Sequence, residues 1–254
     1  MGGAVLPHQP YIREHPGGDA AVLLIHGILG TPDHFRPFLP LIPPQWAVHS
    51  LLLDGHGGSA ADFASSSMAR WRAQVLEEAR LLAHRYGRVV MVAHSMGALL
   101  AVEAALALPQ ETKLLFLLAA PLRIAVRPIA VRHAWKAVWG RIPEGDILAR
   151  AAQEGCSIRL TRRLWQYAGW LPRYYELFQE SAAVRRLLPA LRTPGYVFQS
   201  GRDELVSPRS CQLLKAHPAL ELSELPASSH FYYAPQDRER MLACFSGACS
   251  RLLR

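Results

Sequence analysis

The sequence predicts an α/β fold: a mostly parallel β-sheet flanked by helices and interrupted by one long helical insertion. Three observations carry this. Short apolar runs alternate with helical patterns, the rhythm of strand–helix–strand units. The runs lack strict in–out alternation, as expected of strands covered on both faces. The interval 122–189 breaks the rhythm, being far longer than a usual crossover between strands.

Strands are expected at residues 20–25, 47–53, 88–93, 113–119, 196–199 and 220–225. A helix over 68–86 places Trp71, Val75, Leu82 and Tyr86 at three- to four-residue intervals, with Ser67 as N-cap. An Ala- and Leu-rich helix follows at 96–108, and another at 236–253 closes the chain. The expected organisation is a core of residues 1–121 and 191–254, split by an insertion of residues 122–190. Four of the six tryptophans fall in that insertion: Trp135, Trp139, Trp165 and Trp170. They either pack the insertion onto the sheet or line a pocket, and insertions of this length usually serve as lids.

Composition narrows the class. The 254 residues are 50% hydrophobic and 19% charged, which is globular and not disordered. A chain of this length buries roughly 70–75% of its unfolded surface and needs no covalent staple. Cys156, Cys211, Cys244 and Cys249 form no CxxC and no secreted framework, so reduced thiols and a cytoplasmic location are expected. The first 11 residues show no basic segment leading into an apolar one, so no export signal is expected there. No apolar run approaches the ~18–20 residues of a membrane span.

The net charge is +8. Residues 122–192 hold 13 Lys and Arg against 5 Asp and Glu, and the rest of the chain is balanced. No nucleic-acid-binding motif accompanies this basic segment, so no nucleic-acid partner is expected. A solvated arginine-rich face, a rim attracting an anionic substrate, and contact with a membrane surface all fit it.

The chemistry concentrates around Ala93-His94-Ser95-Met96-Gly97. A buried strand runs into this pentapeptide and a helix follows at once, the context of a nucleophile elbow, where a sharp turn presents a serine hydroxyl. A serine is a poor nucleophile at its free pKa and needs a base, itself oriented by an acid. In this context the partners follow in the order Ser, acid, His, each after a strand. Asp203 follows the strand at 196–199, and His230 follows the strand at 220–225. Asp203 is therefore the expected acid, with the adjacent Glu204 as the alternative, and His230 the expected base. His94 is read as a supporting or packing histidine, and His26, His56 and His217 as loop residues. Two backbone amides should receive the developing oxyanion. Met96, directly after the serine, supplies one, and Ile28 in the His26-Gly27-Ile28-Leu29-Gly30 turn supplies the other.

These segments resemble the α/β-hydrolase family over almost the whole chain. H-G-I-L-G, the L-L-D-G-H-G-G-S run at 52–59, A-H-S-M-G, the G-R-D-E-L-V-S-P run at 201–208, and S-S-H appear in the family's order. Within it the pattern looks like small bacterial carboxylesterases and monoacylglycerol lipases. Ala93 stands where the family pattern has glycine, and Ser200 where many relatives have glycine. The resemblance implies an α/β-hydrolase fold, a helical cap over an acyl pocket, and a reaction through a serine acyl-enzyme.

The expected activity is hydrolysis of a small-molecule carboxylic ester of apolar acyl or aryl type, with no cofactor or metal. The arginines of the insertion leave room for an anionic group on the substrate. A thioesterase or amidase would use the same residues, and a binding protein on the same fold would need no turnover.

Overall fold

The computed structural model describes residues 8–253. Most of the stretch read for an export signal, residues 1–7, lies outside the described residues. Seven strands, β1 (Tyr11–Arg13), β2 (Ala21–Ile25), β3 (Ala47–Ser50), β4 (Val89–His94), β5 (Thr112–Leu118), β6 (Gly195–Ser200) and β7 (Leu220–Leu225), form one sheet. Their order is β1-β3-β2-β4-β5-β6-β7, with β1 antiparallel to β3 and every other pairing parallel.

Both faces are covered, which is why β2 is apolar at every position and β4 at all but its last. Along β2, Ala21, Leu23 and Ile25 point into one core and Val22 and Leu24 into the other. The first core is closed by α2 (Met68–Tyr86) and α3 (Met96–Ala107), the second by α8 (Pro235–Leu252) with Phe35, Phe38 and Trp46. Ser67 caps α2 by accepting the Arg70 N–H, and Gly87 ends the helix in the left-handed conformation.

The strand expected at 47–53 ends at Ser50. Leu51 N still donates to Leu24 O, but Leu53 N turns to the ring Nε2 of His26 at 3.1 Å, so the chain leaves the ladder. Three short elements were not expected: β1, α1 (Ala60–Ser65) and α7 (Arg209–Lys215).

The stretch between β5 and β6 carries α4 (Pro128–Trp139), α5 (Ile147–Glu154), a 3₁₀ segment (Leu164–Trp170) and α6 (Leu171–Leu187). Its fixed end is α6, which buries Leu177 and Val184 in the core shared with α2 and α3. Trp170 is also buried, donating Nε1–H to Ala60 O at 2.9 Å and meeting Phe63 edge-on. Trp135 and Trp165 instead face solvent. No helix among the described residues is long and apolar enough to cross a membrane.

Candidate active site

β4, the middle strand of the sheet, delivers Ser95 to a turn that no ordinary L-residue favours: φ is 54° and ψ −123°. A positive φ at a non-glycine residue costs on the order of 1–3 kcal/mol and persists only where the surroundings enforce it. Here Ser95 N donates to Leu118 O at 2.8 Å and Ala98 N donates to Ser95 O at 2.8 Å. The following helix passes so close to β2 that a Cβ on Gly97 would sit 2.2 Å from Ile25 O. Glycine is obligatory there. Ala93, in place of the expected glycine, is fully buried at the end of β4.

Asp203 and His230 come to this turn from the ends of β6 and β7. Ser95 Oγ lies 3.1 Å from His230 Nε2, and His230 Nδ1 lies 2.9 and 3.1 Å from the two oxygens of Asp203. The geometry suits a ring that donates Nδ1–H to the carboxylate and leaves Nε2 free to accept from the serine hydroxyl. Asp203 is held in turn: its Oδ1 accepts the N–H groups of Leu205 and Val206, each at 2.8 Å. Burial alone would depress the His230 pKa, but the charge and hydrogen bond of Asp203 and the charge of Glu204 outweigh it and raise it.

Glu204, the alternative acid, is also buried but reaches a different atom, accepting the backbone N–H of His230 at 3.1 Å. On the other side of that residue, His94 Nε2 donates to His230 O at 3.0 Å. His34, which no sequence pattern singled out, packs against His94 with ring centroids 4.1 Å apart and the rings tilted by 33°. The His230 loop is pinned at its start by buried Asp237, which accepts from Ala227 N and Ser228 Oγ. An acidic residue in the first turn of α8 was a legible N-terminal signal.

The two amides expected to hold an oxyanion belong to segments that adjoin Ser95. Met96 opens α3, so its N–H belongs to the helix's N-terminal donors. Ile28 follows Gly27, where an added Cβ would come within 2.8 Å of Ser95 Cβ, so this loop presses against the serine turn. The loop is braced twice. His26 donates Nδ1–H to Gly27 O at 2.8 Å while accepting from Leu53 N, which settles its tautomer as neutral Nδ1–H. From the insertion, Ser157 N donates to Leu29 O at 2.9 Å and Ser157 Oγ accepts Gly57 N–H at 3.2 Å. No sequence pattern marks Ser157, because its partners lie about 100 residues away.

A cleft of about 460 Å³ opens beside the His230 loop, between Ile147 and Leu148 of the insertion and Arg202, Ala227, Ser229 and Tyr232. Among the described residues no group of three or more His, Cys, Asp or Glu side chains is placed to hold a metal ion.

The arrangement sets the Ser95 hydroxyl against a histidine whose other ring nitrogen faces a carboxylate. No curated protein matches the sequence. Among solved structures, one described with LipS and LipT, two metagenome-derived lipolytic enzymes, superposes with a TM-score of 0.73 at 24% identity, covering 96% of this chain and 98% of that one. The monoacylglycerol lipase of Paleococcus ferrophilus superposes with a TM-score of 0.66 at 16% identity, over 95% of this chain and 99% of its own. The thioesterase domain of the curacin biosynthetic pathway does so with a TM-score of 0.60 at 18% identity, over 97% and 99%. At these identities the likeness is one of fold. The sequence pattern of the alpha/beta hydrolase family matches residues 22–243. The chain belongs to the alpha/beta hydrolase family, and it is a hydrolase with the fold of lipases and esterases.

Proposed function

We propose that this hydrolase cleaves carboxylic esters of apolar acyl or aryl type through an acyl-enzyme on Ser95. The observation that carries the reading is the continuous hydrogen-bonded chain from Ser95 Oγ through His230 to Asp203, set on a serine in a strained turn. His230 Nε2 takes the hydroxyl proton as Ser95 Oγ attacks the carbonyl carbon. The Asp203 carboxylate stabilises the imidazolium that forms. The amides of Met96 and Ile28 receive the carbonyl oxygen as it becomes an alkoxide, an interaction typically worth about 2.7–4 kcal/mol per donor. His230 then passes its proton to the leaving alcohol, and water repeats the sequence to release the acid.

In this reading residues 122–190 act as a cap. Its supports are the hydrogen bonds from Ser157 to Leu29, in the loop that presses on Ser95, and to Gly57, and the cleft shared by Ile147, Leu148 and the His230 loop. Arg202 in the same cleft suits a substrate that carries an anionic group away from its scissile bond.

The test is a p-nitrophenyl ester series from acetate to palmitate, run beside matched thioester and amide substrates. The reading expects ester turnover with an optimum chain length, lost in Ser95→Ala together with fluorophosphonate labelling. Faster turnover of the thioester or amide would transfer the assignment to that class. Labelling of Ser95 absent in the folded wild type would remove the nucleophile.

A further inference from the structure

Large apolar side chains left in water are concentrated in one part of this molecule. Of the 15 exposed large hydrophobic residues among the described ones, 11 lie between residues 126 and 187. Scattered exposed aliphatics need no explanation, but a connected apolar patch on a monomer's surface marks an interaction site.

The connection runs through named contacts. At the end of α4, exposed Trp135 meets half-buried Trp139 at a tilt with ring centroids 5.5 Å apart, and the guanidinium of Arg162 lies 5.6 Å from the Trp139 ring centre. Arg162, Arg163, Leu164 and Trp165 then form an unbroken exposed run, with Trp165 72% exposed. The 3₁₀ segment passes directly into α6, where Leu171, Tyr175 and Phe178 share one exposed face at i, i+4 and i+7. The opposite face of α6 is the one packed into the core.

Charge decides what this patch meets. Three of the five carboxylates in residues 122–192 are tied to basic partners: Asp146 to Lys136, Glu176 to Arg173, and Glu180 to Arg72. Arg162 and Arg163 stay exposed beside Trp165. The excess of 13 Lys and Arg over 5 Asp and Glu in residues 122–192 is complementary to an anionic surface, and indole rings flanked by flexible arginines match the boundary between lipid headgroups and acyl chains.

We propose that the surface formed by Trp135, Trp139, the 162–165 run and the exposed face of α6 docks on anionic lipid bilayers. The aromatic and leucine side chains enter the acyl boundary and Arg162 and Arg163 pair with headgroup phosphates. The docking is peripheral and is independent of catalysis.

Flotation with vesicles of equal parts phosphatidylcholine and phosphatidylglycerol tests it, with pure phosphatidylcholine as the comparison. Wild type should float with the anionic vesicles at low salt and be largely released at about 1 M salt, where the screening length is about 3 Å. Reversing both arginines (Arg162→Glu with Arg163→Glu) should weaken binding by about 25-fold or more, from roughly fivefold per lost basic contact. Trp165→Ala with Leu171→Ala should weaken it by about tenfold or more. All four positions are exposed, so the variants should keep the wild-type unfolding temperature, and Ser95→Ala should bind as wild type does. Absence of binding to anionic vesicles, equal binding to neutral ones, or variants that bind unchanged would overturn the proposal. So would a wild-type dimer in sedimentation that the Trp165 and Leu171 substitutions dissociate, since the patch would then be a contact between two copies.

Discussion

Glu204 Oε2 accepts the backbone N–H of His230 at 3.1 Å, one residue along from Asp203, whose carboxylate meets the imidazole of the same histidine at 2.9 Å. Two adjacent carboxylates thus divide one histidine between them, the first taking its ring and the second its peptide. With His94 donating to the His230 carbonyl, both polar groups of that backbone unit are held by buried side chains. The ring's position is fixed from the main chain outward.

This division predicts unequal effects. Asp203→Asn should lower kcat by up to about 10⁴-fold, because an amide in place of the carboxylate selects the wrong imidazole tautomer. Glu204→Gln keeps an oxygen that accepts the His230 N–H and should cost less than about tenfold. Glu204→Leu leaves that N–H buried without a partner, a penalty of about 1–3 kcal/mol that displaces the ring from Ser95. Steady-state kcat and KM for the three variants on one ester check the ranking. A Gln variant as damaged as Asp203→Asn would exchange the two roles.

Much of this fold was legible because covered parallel strands announce themselves as short apolar runs bounded by glycine and polar turns, and the positions after β4, β6 and β7 carry Ser95, Asp203 and His230. The missed pieces lack that signal. β1 is three residues long and gains its partner from β3 across the 33 residues between them. α1 did carry a mark, the Ser59–Asp62 capping box, which is the S-x-x-D pattern before an apolar turn. Whether Asp203 or Glu204 meets the ring depends on how the loop after β6 turns, which neighbouring residues of like chemistry cannot reveal. Trp165 and Trp170 show the same limit: similar neighbours in sequence, yet one is exposed and one is packed on Phe63. Only the docking of α6 separates them.

The rate profile should carry the signature of a raised histidine. His230 must be neutral to accept the serine proton, and its pKa lies above the ordinary 6.5. Ester kcat/KM should therefore fall as pH drops through a value above 6.5, and recover as it rises. The charge of Glu204 is one cause of the shift, so Glu204→Gln should move this acid limb to lower pH while the plateau changes little. An unmoved limb would mean that Glu204 acts on His230 through geometry alone.

Stability should also fall on the acid side, because His26, His56 and His94 are buried and neutral and His34 is half-buried against them. Burial pushes His34 down to about 3 and His56 to about 4, and it holds His26 and His94 well below their ordinary value. His56 packs edge-on against Phe63 and Trp71, and His94 sits between His34 and His230. The sign follows from proton counting. Unfolding releases these rings into water, where they bind protons below pH 6.5, while the folded state leaves them neutral. Their contribution is intact above pH 6.5 and is lost as pH falls toward their folded values. Each such ring removes about 1.4 kcal/mol per pH unit in that interval. His230 does not offset this, since its raised pKa contributes stability that is complete below 6.5 and lost only as pH rises through its folded value. Four rings acting together make the acid side of the stability profile steep. Urea unfolding between pH 7.5 and pH 5 should thus show a steep loss of midpoint on the acid side. Replacing His56 with Phe, which keeps a ring among Phe63 and Trp71 and titrates nothing, should remove about one proton's worth of that slope. An unchanged slope in the variant would mean that His56 is protonated in the folded protein.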